Sequence, residues 1–126
     1  MSTSAADLLQ LAALLEDGTN EASWRGAVGR AYYASYYGCL AWHAAQTPPG
    51  SVGGHPGGVH QTLINQLKNG APEWPQDRRT LGRSLAYRLG ALLTRRRIAD
   101  YEPHAEFAQD VARTDCANAK FLAGLI

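Results

Sequence analysis

The chain has 126 residues, of which 45% are hydrophobic and 18% are charged, enough to bury the core of one domain without disulfides. Its formal net charge of +1 implies, as a global balance, neither nucleic acid nor a membrane surface as partner. The N-terminal stretch has no basic region and no continuous apolar run, which argues against a signal peptide, and no segment reaches transmembrane length. We therefore expect a cytoplasmic protein without membrane partners.

Charged residues are distributed unevenly. Seven of the twelve basic residues fall between positions 78 and 97, and the segment that follows is acidic. The basic residues are Arg78, Arg79, Arg83, Arg88, Arg95, Arg96 and Arg97, and the acidic ones are Asp100, Glu102, Glu106, Asp110 and Asp115. The two cysteines, Cys39 and Cys116, lie in helical patterns without metal-ligand spacing, which predicts buried thiols in a reducing compartment.

Two helices are predicted before position 47. Ser4 can cap the first, with Asp7 as its capping-box partner, and Gly18 ends it. Asn20 can cap the second, which continues through position 46. The segment 24–45, WRGAVGRAYYASYYGCLAWHAA, is apolar over most of its circumference, so we expect it in the middle of a bundle.

The rest of the chain alternates between breaks and helices. Three prolines and five glycines between Thr47 and Gly58 predict a flexible loop. A short helix is expected over 59–69, and a long one from Asp77 to about Tyr101 with Leu81, Leu85, Leu89 and Leu92 facing inward. Pro103 suits the first turn of a last helix. With no strand pattern, the sequence predicts one all-α domain over 1–126, an up-and-down bundle of four to five helices.

The candidate site lies in RRRIADYEPH, from Arg95 to His104. Arg97 and His104 are separated by six residues across the break at Pro103. A histidine titrates near neutrality and can move a proton of a ribose 2′-hydroxyl or of a leaving oxygen, while a guanidinium stabilises charge on the phosphate. This pair is suited to RNA cleavage without a metal or cofactor. The alternative without catalysis is a basic helix end exposed to solvent. Arg95 and Arg96 are expected to be surface charges, with contact to phosphate as the alternative role.

The motifs AVGRAYYASYYGCLAWHA, GVHQTLINQL and LGALLTRRRIADYEP together resemble the HEPN superfamily. The resemblance is to its small prokaryotic branch, which has an R-A-Y-Y-A helix and an R-x-x-A-D-Y segment, and it extends from about Trp24 to the C-terminus. It implies a helical bundle that forms a homodimer. Many members are ribonucleases, often toxins paired with a nucleotidyltransferase-type antitoxin, and others act in phage defence. Its ribonuclease signature, arginine, four to six residues and then histidine, is matched here by Arg97 and His104.

Charged and aromatic residues of these motifs suggest supporting roles. We expect Arg30 and Asp100 to meet as a buried or half-buried ion pair between the central and fourth helices. This pair would either stabilise the fold or position Arg97. Tyr101 is expected to pack, with contact to RNA as the alternative. For Tyr32, Tyr33, Tyr36 and Tyr37 the alternatives are core or dimer surface and base stacking. His60 is expected to cap or pack, and His55 to face solvent.

Three functions are compatible with these residues. The first is a metal-independent HEPN endoribonuclease that binds RNA and acts as a homodimer. The second is a non-catalytic HEPN module that binds a nucleotide, RNA or a partner protein, because the basic face from Arg78 to Arg97 can bind phosphate without chemistry. A helical partner of a neighbouring gene product, assembled through its aromatic surface, is a third possibility.

Overall fold

A computed structural model describes residues 3–54 and 57–126, so His55 and its expected exposure lie outside the described residues. In these two ranges the chain forms five α-helices and no strand, which confirms the predicted all-α bundle. The helices are α1 (Ala5–Glu16), α2 (Glu21–Ala44), α3 (Val59–Asn69), α4 (Gln76–Tyr101) and α5 (Gln109–Leu125). None of the helices in the described ranges is long and apolar enough to cross a membrane.

Helix α2 is the centre of the bundle, as its sequence predicts. It contacts each of the other four helices. Fully buried side chains along it include Ala27, Ala31, Tyr32 and Cys39. The small ones let neighbouring helices approach closely, and Leu63, Leu67, Leu85 and Leu89 fill the core from α3 and α4. Each buried leucine contributes roughly 1.5–3 kcal/mol relative to an exposed one.

Side-chain caps begin the first two helices at the predicted residues. Ser4 and Asp7 form a reciprocal capping box at α1, and the Asn20 carboxamide accepts a hydrogen bond from the Ser23 backbone N–H group at α2. Between these helices, the Trp24 indole N–H donates to the Gly18 carbonyl at 2.8 Å. These contacts satisfy backbone groups that helix ends leave unpaired, and they fix the turn from α1 into α2.

Hydrogen bonds hold the start of the proline- and glycine-rich loop against the helices on either side of it. The Gly50 N–H group donates to Nε2 of the buried His43 at 2.9 Å, and the Trp74 indole donates to the Pro48 carbonyl at 2.7 Å. Ser51 and Gly70 add a backbone hydrogen bond of 2.9 Å. Trp74 is 2% exposed and covers the edge of the core.

The last helix begins later than predicted. Helix α5 starts at Gln109, and Pro103 lies in the connection 102–108. This connection is held in a non-helical path because Phe107 is buried and the Ala105 carbonyl accepts a hydrogen bond from Arg25 of α2. A tertiary contact therefore overrides the tendency of Pro103 to start a helix.

Candidate functional site

The three consecutive arginines near the end of α4 point in different directions, since successive helical residues are 100° apart. Arg95 faces α5, where its Nε lies 3.5 Å from Oδ2 of the buried Asp115. Arg96 faces α2 and has a side chain only 14% exposed. Arg97 is exposed. Arg95 is exposed as well, but of the three only Arg97 has no ion pair or side-chain hydrogen bond among the described residues.

Arg96 is a fixed charge, which corrects the surface role that the sequence suggested for it. Its Nη2 donates to the Tyr33 hydroxyl at 3.0 Å, and its guanidinium lies 5.2 Å from the Tyr33 ring centre and 5.7 Å from that of Tyr101. Its Nε is 2.9 Å from Asp100 Oδ2, as an ion pair whose N–H group is not aligned for a hydrogen bond. Contacts with aromatic faces and a carboxylate together hold the guanidinium in place.

The predicted Arg30–Asp100 ion pair is wrong. Asp100 pairs with Arg96, which is one turn earlier on the same helix and needs no tertiary contact to reach it. Arg30 is exposed instead. It lines a shallow groove of about 520 Å³ together with Thr3, Leu8, Tyr33 and Tyr37. Arg30 is therefore available to a ligand rather than bound to the core.

His60 lies among three tyrosine rings of α2. Its ring centre is 4.7 Å from that of Tyr36 and 5.4 Å from that of Tyr32, and its Nδ1 is 2.6 Å from the Tyr32 hydroxyl oxygen. We call His60, Tyr32, Tyr33, Tyr36 and Arg96 the tyrosine–histidine cluster. It joins α2, α3 and α4. The packing role predicted for His60 is confirmed, but the contact with the Tyr32 hydroxyl is new.

Burial is the main electrostatic effect in this cluster. It lowers the pKa of His60, and the positive charges of Arg96 and Arg97 lower it further. Burial also raises the pKa of Tyr32, which keeps its proton at any physiological pH. A neutral histidine and a neutral tyrosine thus face two arginines. This arrangement could not be predicted from local sequence patterns, since His60 and Arg96 are 36 residues apart.

Arg97 and His104 are both exposed near the end of α4. His104 lies in the connection 102–108. Among the described residues, no hydrogen bond or ion pair joins the two side chains or ties either one to another group. Tyr101, predicted to pack, is 68% exposed. One chain therefore presents these groups to solvent without bringing them into contact.

Arg25 anchors the connection that carries His104, and sequence reasoning missed it. Its Nη1 donates to the carbonyls of Ile98 and Ala99 at 3.1 and 2.9 Å, and its Nη2 donates to the Ala105 carbonyl. Its guanidinium also lies 5.0 Å from the Phe107 ring centre. Arg25 satisfies the Ala99 carbonyl near the end of α4 and adds a second donor to the Ile98 carbonyl, which also accepts from the Glu102 N–H group, and it sets the start of the following connection.

Both cysteines are buried, as predicted. Cys39 and Cys116 are free thiols that are at most 2% exposed, and burial raises the pKa of each to about 12. Within the ranges 3–54 and 57–126, no group of three or more His, Cys, Asp or Glu side chains is arranged to hold a metal ion.

Comparisons of the chain with models of protein families, with curated proteins and with solved structures found no match.

Proposed function

We propose that the chain is a metal-independent endoribonuclease of the HEPN type, acting as a toxin in a toxin–antitoxin or phage-defence system. The observation that best supports this proposal is the placement of Arg97 and His104, which are both exposed near the end of α4. Arg97 extends from a helix, and Arg25 anchors the connection that carries His104. Both groups are thus open to an RNA backbone yet supported by ordered structure.

The proposed reaction is an internal transesterification of RNA. His104 removes the proton of a ribose 2′-hydroxyl, the 2′-oxygen bonds to phosphorus, and the bond from phosphorus to the 5′-oxygen breaks. The leaving oxygen takes up a proton, so the products carry a 2′,3′-cyclic phosphate and a 5′-hydroxyl. Arg97 donates two hydrogen bonds to non-bridging phosphate oxygens and stabilises the charge that develops there.

The proposed active form is a homodimer. The resemblance implies that two copies of the motif share one cleft, and the lack of contact between Arg97 and His104 within one chain agrees with that. A second His104 then supplies the proton for the leaving oxygen. We further propose a cytoplasmic location, consistent with the free thiols, and a nucleotidyltransferase-type protein as antitoxin.

The test is cleavage of a single-stranded RNA in the presence of a chelator. We expect Arg97→Ala and His104→Ala each to reduce the cleavage rate by about 100-fold, the scale of lost acid–base or electrostatic catalysis. Arg113→Ala is the matched control for a lost charge, since Arg113 is 59% exposed on α5. Wild-type cleavage that both site variants retain in full would refute the assignment of these residues.

A non-catalytic RNA-binding module is the second candidate, supported by the exposed aromatic side chains. Tyr101 is 68% exposed beside Arg96, and Tyr37 is 47% exposed in the groove that also contains Arg30. Exposed rings next to cations can stack on bases without sequence preference. RNA binding that weakens with salt, with no cleavage at any chelator or metal concentration, would favour this function over the first.

A further inference from the structure

The hydrogen bond between Tyr32 and His60 fixes which nitrogen of the imidazole carries hydrogen. Tyr32 is completely buried, and among the described residues its hydroxyl has one hydrogen-bond partner, Nδ1 of His60 at 2.6 Å. A buried hydroxyl that cannot donate is costly, so the Tyr32 O–H group donates to Nδ1. The Nδ1 atom of His60 is then an acceptor, and the hydrogen of the neutral ring lies on Nε2.

The surroundings of His60 favour this neutral form. From α2 it faces the rings of Tyr32, Tyr33 and Tyr36, and from α4 the positive charges of Arg96 and Arg97 act on it. The nearby carboxylate of Asp100 is already paired with Arg96. A positive charge on the imidazole is therefore disfavoured.

We propose that His60 binds a phosphate oxygen of the RNA backbone through its Nε2–H group, as a neutral hydrogen-bond donor within reach of the positive charges of Arg96 and Arg97. The inference rests on the proposed ribonuclease function, to which it adds a binding residue on α3. His60 does not act as a base in this arrangement, because Nδ1 is engaged by Tyr32 and Nε2 has no free lone pair. A neutral N–H donor near a cation suits an anionic ligand, since both groups present hydrogen-bond donors to it without a change in protonation state.

Two substitutions of His60 separate hydrogen-bond donation from proton transfer. Gln has a side-chain N–H group that reaches about as far as imidazole Nε2, while Ala has none. We expect His60→Ala to weaken binding of a single-stranded hexanucleotide RNA about tenfold, a typical loss for one hydrogen bond to a charged group. We expect His60→Gln to stay within about threefold of wild type. Equal losses in RNA affinity for the two variants would overturn the proposal.

A measurement on the wild-type protein tests the tautomer without any substitution. Long-range ¹H–¹⁵N NMR distinguishes a protonated from an unprotonated imidazole nitrogen. We expect His60 to appear as the Nε2–H form between about pH 6.5 and 8, and its Nε2 signal to shift when the same hexanucleotide is added. A hydrogen on Nδ1, or an Nε2 signal that RNA leaves unchanged, would overturn the proposal.

Failure of this inference is distinguishable from failure of the proposed function. If cleavage depends on Arg97 and His104 while His60→Ala binds and cleaves RNA normally, the ribonuclease proposal stands and the role of His60 is refuted. If no cleavage occurs but the two His60 variants and the NMR signal behave as expected, His60 binds RNA and the catalytic proposal fails. Thermal unfolding of each variant, compared with that of Arg113→Ala, separates lost binding from lost folding.

Discussion

Substitution of Arg25 by alanine is expected to destabilise the fold and the connection that carries His104. In the structure this side chain is 14% exposed and donates to three carbonyls, those of Ile98, Ala99 and Ala105. Its ion pair with Glu21, at 2.8 Å, involves a carboxylate that is 45% exposed and contributes little. The stabilisation therefore comes from the contacts between α2 and the end of α4.

The size of the loss follows from those contacts. A hydrogen bond to a charged group contributes about 1.5–3 kcal/mol, but water can reach some of the freed carbonyls. We expect the free energy of unfolding to fall by about 2–4 kcal/mol, and the Tm by about 8–15 °C for a chain of this length. Arg25→Lys keeps the charge but lacks the planar fork that reaches several carbonyls, so we expect about half of this loss.

Urea unfolding followed by circular dichroism measures these differences, and Arg30→Ala is the matched control. Arg30 lies five residues later on the same helix and is exposed, so its loss should change the free energy of unfolding by less than about 0.5 kcal/mol. If Arg30→Ala destabilises the protein as much as Arg25→Ala does, the assignment of the anchor to Arg25 is refuted. The connection that carries His104 should become less ordered in Arg25→Ala. The rate of RNA cleavage should therefore also fall, even at temperatures where the variant remains folded.

Two further substitutions test buried groups outside the site. Burial raises the pKa of Asp115 from 3.8 to about 6, so the folded state binds this proton more tightly than the unfolded state and stability decreases as pH rises from about 4 to 6. Asp115→Asn should therefore raise the free energy of unfolding at pH 8 by up to about 3 kcal/mol and change it less at pH 4. Urea unfolding at the two pH values measures this difference. A lower free energy of unfolding at pH 8 would mean that the ion pair with Arg95 outweighs the cost of burying the carboxylate. Gly50→Ala would place its Cβ 2.0 Å from the Gln66 carbonyl oxygen and should lower the free energy of unfolding by about 2–4 kcal/mol. Gly54→Ala is its control, because the added Cβ would meet no atom of the described residues within 4 Å apart from its chain neighbours. Thermal unfolding of both variants tests the clash, and equal effects would contradict it.

Local signals in the sequence predicted the helices well. The caps at Ser4 and Asn20 and the leucine stripe of α4 depend on residues close to one another in the chain. The start of α5 could not be predicted in the same way. The connection before it is fixed by Arg25, about 80 residues earlier, and no side chain caps the helix at Ala108.

The site was predictable as a region but not as a set of contacts. The end of α4 does meet α2, as the two motifs suggested, but it does so through Arg96 and Tyr33 rather than through the predicted Arg30–Asp100 pair. Which arginine is buried depends on the rotation of α4 against α2, and a rotation of 100° exchanges Arg96 for its neighbours. The same uncertainty on α2 led to Arg30 in place of Arg25. The contact of His60 with Tyr32 further requires the packing of α3.

Arg25 and Tyr32 are seven residues apart on α2, which places them on the same face, about 10 Å apart along its axis. One supports the connection bearing His104, and the other orients His60. Helix α2 thus sets the distance between the two parts of the site that carry His60 and His104. Their separation is set by two turns of one rigid helix, so an insertion or deletion of one residue between positions 25 and 32 would disconnect them even if every side chain of the site were retained.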